Sequence, residues 1–351
     1  MIEQLRLRPY ALPLKSDWRA ATATLSLRRG LLIGVEGGGE IGWGDCAPLP
    51  SSGAEGHERA FAQLRAAAHD LRHASFEAAR ARLNDIESPE ARWALDTALF
   101  DHSMRRRGLA LRRALSRQPL DLLPVNAALG PLDASCADRA ELAVAQGFVF
   151  AKIKVGLAPV AKEAARLAEV SARVGGRLRL RLDANRAWSE PDAIRFLDAV
   201  ADLPIDGVEE PLAEPSVERL RWLQKRTPFA LAIDESLFEL GPERVFDLRA
   251  ARRLVLKPAR IGGFGASLRL AERAAAAGME VVITSVVESA IGVAAAAQLA
   301  AALGAGIAHG LATGPWLAED VAPPLVLSEG FLRLPECPGL GVAPFGHFAQ
   351  G

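Results

Sequence analysis

Short apolar runs, each closing on a charged or hydroxyl residue, recur through the middle of this chain. Their markers, Lys152, Asp183, Glu209, Asp234, Lys257 and Ser285, follow one another at intervals of 23 to 31 residues, with Ala-rich amphipathic stretches between them. Each interval has room for one strand, one turn and one helix, so the pattern predicts serial βα units. Candidate strands lie at 123–129, 148–154, 177–183, 207–210, 231–234, 253–257, 280–285 and 306–310. About eight repeats at that period are the arithmetic of a (β/α) barrel rather than of a doubly wound sheet. At 351 residues the chain is also too long for one small core.

The flanks read differently. Residues 1–50 alternate as a β-meander with a Gly-rich turn at 37–39. Helical periodicity follows over 57–84 and 89–107, where Ser88 is placed to cap a helix and Pro89 to occupy its first position. After residue 320 the chain turns Pro-rich and irregular. The expected organisation is an α+β capping domain over 1–115, a barrel over 116–320, and a C-terminal segment, 321–351, that packs back on the cap.

Lys+Arg and Asp+Glu number 42 each, so no general field draws the chain to nucleic acid or to an anionic membrane. Cys46, Cys136 and Cys337 are far apart and lack CxxC spacing, which predicts reduced thiols in a cytoplasmic protein. The amino terminus alternates like a strand and has no apolar signal-peptide core. The weakly polar run 292–312 is mostly Ala and Gly and carries Gln298 and His309, which predicts a buried helix leading into a strand rather than a membrane span. Nothing here fixes an oligomeric state.

The strand 148-FVFAKIK-154 makes the sharpest demand: Lys152 and Lys154 share one face, and Ala151 and Ile153 the other. In a barrel the C-terminal strand ends form one mouth, so an apolar outer face under helices and a lysine face toward the mouth satisfy both sets. Asp183, Glu209 and Asp234 then bring three carboxylates to one point from consecutive strands. Such charges repel too strongly to stay ionised together without a cation, and oxygen-only ligation favours Mg²⁺, with Mn²⁺ as a substitute. A lysine beside a cation and a second lysine has its pKa drawn down toward use as a base. Metal with flanking lysines suits proton removal next to a carboxylate on a small-molecule substrate.

The motifs KIK (152–154), RLDANRAW (181–188), EEP (209–211), DES (234–236), LKPARIGG (256–263) and TSVVESAIG (284–292) resemble the enolase superfamily. They look most like its muconate-lactonizing branch and, within it, the o-succinylbenzoate synthases. The resemblance covers nearly the whole chain and implies a (β/α)7β barrel with an α+β cap. It implies Asp183, Glu209 and Asp234 as Mg²⁺ ligands, with Glu210 behind them. Lys154 would be the general base, Lys152 a cation on the substrate carboxylate, and Lys257 the group across the substrate. Arg181 and Asn185 match polar positions around the site, and Glu235 stands beside a ligand. The implied reaction is dehydration of 2-succinyl-6-hydroxy-2,4-cyclohexadiene-1-carboxylate through an enediolate, a step of menaquinone biosynthesis. N-acylamino-acid racemase, dipeptide epimerase and cycloisomerase activities stay open on the same scaffold, as does a non-catalytic descendant. The neighbouring dipeptide epimerases carry a DxD near the last strand; this chain has Glu319-Asp320 instead.

Other features read more plainly. The motif 69-HDLRH-73 mimics HExxH, but a solvated helix face accounts for it. Gly262, Gly263 and Gly265 suit a tight turn before a helix better than a phosphate cradle. Of Arg177, Arg179 and Arg181, only the last is expected at the mouth. Thr284 and Ser285 either bind a distal substrate carboxylate or satisfy strand-end backbone. Trp18, Ser51 and Ser52 fall in cap segments that close over substrate in the family.

Overall fold

The computed structural model describes residues 1–19, 24–49, 53–304 and 306–349. Ser51, Ser52 and the side chain of Trp18 lie outside the described residues. The chain opens with an antiparallel sheet of β1 (Gln4–Arg19), β2 (Thr24–Gly37) and β3 (Glu40–Cys46), with Gly38 and Gly39 turning at φ 59° and 81°. Helices α1 (Gly53–Asp70), α2 (Phe76–Arg82) and α3 (Pro89–Arg106) follow.

The single helical stretch expected over 57–84 is thus two helices. Ile2 pairs with the intervening turn, donating to Ala74 O at 2.9 Å and accepting from His73 N at 2.8 Å, which draws the backbone out of the helix. His73 has φ 66°, so His69 and His73 do not share a helix face, and the HExxH likeness has no structural basis. Ser88 caps α3 as expected, its hydroxyl accepting from Ala91 N at 3.3 Å.

The barrel runs through α4 (Leu111–Leu115), β4 (Leu122–Pro124), β5 (Ala127–Pro131), α5 (Cys136–Ala145), β6 (Phe150–Lys154), α6 (Val160–Val174) and β7 (Arg179–Asp183). It continues with α7 (Glu190–Ala199), β8 (Ile205–Glu209), α8 (Val217–Arg226), β9 (Ala230–Ile233), α9 (Leu237–Leu240), α10 (Pro242–Leu248) and β10 (Arg253–Leu256). It ends with α11 (Pro258–Ile261), α12 (Phe264–Ala276), β11 (Glu280–Ile283) and α13 (Ala290–Leu303). Strands β5 to β11 form a seven-stranded parallel sheet in chain order. The expected eighth strand is reduced to bridges: His309 pairs with Val125 and Gly310 with Thr284, which closes the sheet into a (β/α)7β barrel.

Ala151 and Ile153 are fully buried beneath the outer helices, as the alternation of this strand requires. Inside, Ala232, Val255 and Val282 form a small apolar cluster on one side of the barrel. Helix α13 is buried along most of its length, and among the described residues no helix is long and apolar enough to cross a membrane. The three cysteines are unpaired.

The tail pairs β12 (Val326–Ser328) and β13 (Phe331–Arg333) with β4 below the barrel. It then runs along the cap, where Leu340 N donates to Asp101 at 2.7 Å and Arg105 to Val342 O at 2.7 Å, before α14 (Gly346–Ala349).

The cap sheet meets α3 at unusually close range. A Cβ on Gly44 would lie 1.9 Å from Ala94 O, backbone that has nowhere to go. Gly44→Ala is therefore expected to destabilise by about 1–3 kcal/mol or more, measured as a lower denaturant midpoint with an unchanged slope.

Candidate active site

Parity along the strands sorts the barrel interior into two layers. The lower layer holds Lys152, Arg181, Gly207, Ala232, Val255 and Val282, which surround a cavity of about 20 Å³, room for about one water. Two residues further along each strand, the upper layer is Lys154, Asp183, Glu209, Asp234, Lys257 and Thr284. Lys154, Asp183 and Glu209 are direct register partners across β6, β7 and β8.

The long Lys152 side chain rises from the lower layer. Its Nζ donates to Glu209 Oε2 at 2.7 Å and lies 2.9 Å from Asp183 Oδ2. Lys154 Nζ lies 3.4 Å from the same Asp183 oxygen and bonds Asn185 Oδ1. Asn185, at φ 44°, is held by its own N–H to Asp183 Oδ1 at 3.2 Å. On the far side Lys257 pairs with Asp234. Glu210 turns away from this group: its Oε1 accepts from Asp234 N at 2.7 Å, Ser236 N at 3.0 Å and Ser236 Oγ at 2.7 Å, which fixes the backbone that carries Asp234. Glu235 is exposed beside it.

The electrostatics point one way. Burial pushes Glu209 up to about 7, the Asp183 charge adds to it, and Lys152 opposes. Burial also lifts Glu210 to about 7 and raises Asp234. Asp183 is the exception: Lys152 and Lys154 outweigh its burial and hold it at about 2. Glu209 and Asp234, driven upward although they stand against the ammonium groups of Lys152 and Lys257, mark a shortage of positive charge. The expected depression of lysine pKa is not what the side chains produce by themselves. Burial acts to lower Lys152 and Lys257, but for Lys152 the charges of Asp183 and Glu209, and for Lys257 those of Asp234 and Glu209, raise both above the ordinary value.

As they stand, no three acidic, His or Cys side chains among the described residues converge as a metal cluster. The reason is visible: the Lys152 ammonium sits between Asp183 and Glu209, and the Lys257 ammonium sits on Asp234. A cation already bridges two of the three carboxylates, and an all-oxygen donor set short of positive charge fits a hard divalent ion.

One expectation needs correcting. Arg181 does not open on the mouth. It stands a layer deeper, bonds Asp206 at 2.8 Å and Ala308 O, and lies over the Phe150 ring. Thr284 donates to Gly310 O at 3.0 Å, and Ser285 bonds Thr313 at 2.8 Å, so both hydroxyls serve the closing segment. Gly262 and Gly263 abut Pro89 and Asp96 of the cap, and Asp96 takes the N–H of Phe264 at 2.8 Å, so this loop is a seam between cap and barrel. Asp320 accepts from Ala290 N at 3.0 and 3.1 Å and caps α13. Arg177 and Arg179 are exposed.

Sequence reasoning missed Asp206. Strict alternation pairs it with outward-facing Val208, but the register between β7 and β8 slips by one residue beside it. Asp206 thereby turns inward to meet Arg181 and Arg253, each at 2.8 Å, and a Cβ on Gly207 would come within 2.6 Å of Arg253 Nη1. Burial acts to raise the Asp206 pKa, yet Arg253 and Arg181 prevail and hold it below the ordinary aspartate value of 3.8. Its charge therefore stabilises the fold above that pH, and the contribution is lost as pH falls below it. Asp206→Asn leaves two buried guanidinium groups short of a counter-charge. It should cost about 3–5 kcal/mol at neutral pH and flatten the acid limb of stability against pH, both read from denaturant unfolding.

Residues 135–345 match the family described as Enolase C-terminal domain-like, and residues 2–101 match the MenC N-terminal domain. The chain is 32% identical to an o-succinylbenzoate synthase of Thermobifida fusca over 292 residues, 82% of this chain and 73% of that one. It is 28% identical to the L-Ala-D/L-Glu epimerase of Bacillus subtilis over 299 residues, 81% and 80% of the two. The crystal structure of a muconate lactonizing enzyme from Pseudomonas fluorescens, complexed with muconolactone, superposes with a TM-score of 0.88 at 25% identity, covering 99% of this chain and 97% of that one. Lyases and isomerases of one scaffold thus surround this sequence, and members of that group generally use Mg²⁺. The chain belongs to the enolase superfamily and is one of its enzymes.

Proposed function

We propose that the chain is a Mg²⁺-dependent o-succinylbenzoate synthase, a hydro-lyase acting on 2-succinyl-6-hydroxy-2,4-cyclohexadiene-1-carboxylate in menaquinone biosynthesis. The observation that carries the reading is the constellation of Lys152, Lys154 and Lys257 around Asp183, Glu209 and Asp234. The likeness of residues 2–101 to the MenC N-terminal domain and of most of the chain to the Thermobifida synthase supports this choice among superfamily reactions.

Asp183, Glu209 and Asp234 would hold the ion, which would supply positive charge to stabilise the developing negative charge of the substrate carboxylate. Lys154 removes the proton from the ring carbon that bears the carboxylate. Asn185, bonded to Lys154 Nζ, fixes where that nitrogen points. Protonated Lys154 then returns the proton to the departing hydroxide on the same face, so one water leaves and the ring becomes aromatic. Lys152 lends its charge to the substrate carboxylate, and Lys257 stabilises negative charge from the opposite side. The substrate is a small carboxylate, neither nucleic acid nor membrane is a partner, and the setting is cytoplasmic.

Racemisation is the second reading. Lys154 and Lys257 stand on opposite sides of the carboxylate group, the arrangement that two-base proton exchange needs, and the Bacillus epimerase aligns over most of the chain. Against a dipeptide substrate, no Asp-x-Asp follows the last strand position in 310–320.

Formation of o-succinylbenzoate by the wild type should depend on added Mg²⁺ and stop with chelator. Lys154→Ala should lower turnover by about 10²–10⁴-fold. A wild type that makes no product yet exchanges the α-proton of both enantiomers of an N-acyl amino acid would exclude the synthase reading.

A further inference from the structure

Arg28 lies on β2 of the cap and is fully buried, yet among the described residues it forms no ion pair. Its guanidinium is spent on carbonyl oxygens from two parts of the molecule. Nε donates to Val287 O at 2.8 Å, in the loop after the seventh barrel strand, β11. Nη1 donates to Pro48 O at 2.6 Å and Nη2 to Ala47 O, both just beyond β3 of the cap. Val287 is a β-branched residue at φ 61°, a costly conformation that surrounding contacts must impose.

A second set of bonds ties the same two segments. Buried Asp45 accepts from Tyr10 OH at 2.8 Å and from Ser289 N and Oγ at 3.0 and 2.7 Å. A Cβ on Gly292 would lie 2.9 Å from Asp45 Oδ2, so only glycine lets the cap approach this closely.

The position of this seam matters for the mouth. The carboxylates come from β7, β8 and β9, the third to fifth barrel strands, so a substrate carboxylate held there directs the rest of the molecule toward the seventh, eighth and first strands. That side is where Arg28 fastens the cap.

We propose that Arg28 is a positioning residue for substrate selection: it clamps cap segment Ala47–Pro48 to the Val287 loop and so sets the wall that meets the substrate arm remote from the reacting carboxylate. This rests on the reading of the mouth given above. Lysine in its place keeps the charge and cannot reach all three carbonyls.

Two measurements on Arg28→Lys test it. Hydrogen exchange at residues 46–49 and 286–290 should quicken by about tenfold or more, with the amides of β6 and β7 unchanged. Calorimetric titration with Mg²⁺ should show about tenfold weaker binding of o-succinylbenzoate but less than about twofold for benzoate, which keeps the carboxylate and lacks the arm. Ser289→Ala, which removes one hydroxyl bond, should move both readouts the same way by about two- to fivefold and serves if Arg28→Lys does not fold. Unchanged exchange in both loops overturns the clamp. Local opening with equal losses for the two ligands, or with none, overturns the selecting role. A wild type that binds neither ligand overturns the assigned substrate and the arm it supplies, while exchange still decides the clamp.

Discussion

The barrel mouth depends on a balance of buried charge. Acidic and basic side chains stand on neighbouring strand ends because a closed parallel sheet aims every second residue inward, and its last inward layer is the only one facing the mouth. Lys152 and Lys154 keep Asp183 ionised, whereas Glu209 and Asp234 are pushed toward their neutral forms. The constellation is thus strained toward a further positive charge. Its supports, Glu210 on the Asp234 backbone and Asp206 between two arginines, hold the geometry while that strain persists. Glu163 does the same for β6, accepting the N–H groups of Gly156 and Leu157 at 2.8 and 2.9 Å just past Lys154.

Much of this was legible in the chain because parity survives folding. Lys152 and Lys154, Asp183, Glu209, Asp234 and Lys257 could be read as one inward set, since each sits at the end of a short apolar run. Asp206 was not legible, because a one-residue slip reverses parity at that point and leaves no mark in residue types. Arg181 was placed too high for a related reason: alternation gives the face of a strand but not the depth, and Asp206 draws the guanidinium downward.

The cap contacts were harder still. Arg28-Arg29 in a strand forces one arginine to each face, which signals a buried cation, but its partners lie in loops far along the chain. Loop carbonyls carry no sequence signature. The split of the helix expected over 57–84 has the same origin, since pairing with Ile2 is a long-range event that local periodicity cannot register.

The closing seam of the barrel has its own consequence. Elsewhere each strand pairs with the next one along the chain, but the closing segment is held by one bridge on each side, Gly310 to Thr284 and His309 to Val125. The second of these contacts closes the largest loop in the barrel for a single bridge, so it forms only after the intervening units have stacked. Under mechanical load the molecule should therefore part beside this closing segment first, opening the cylinder into a curved sheet while the carboxylate-bearing strands, paired on both edges, stay together.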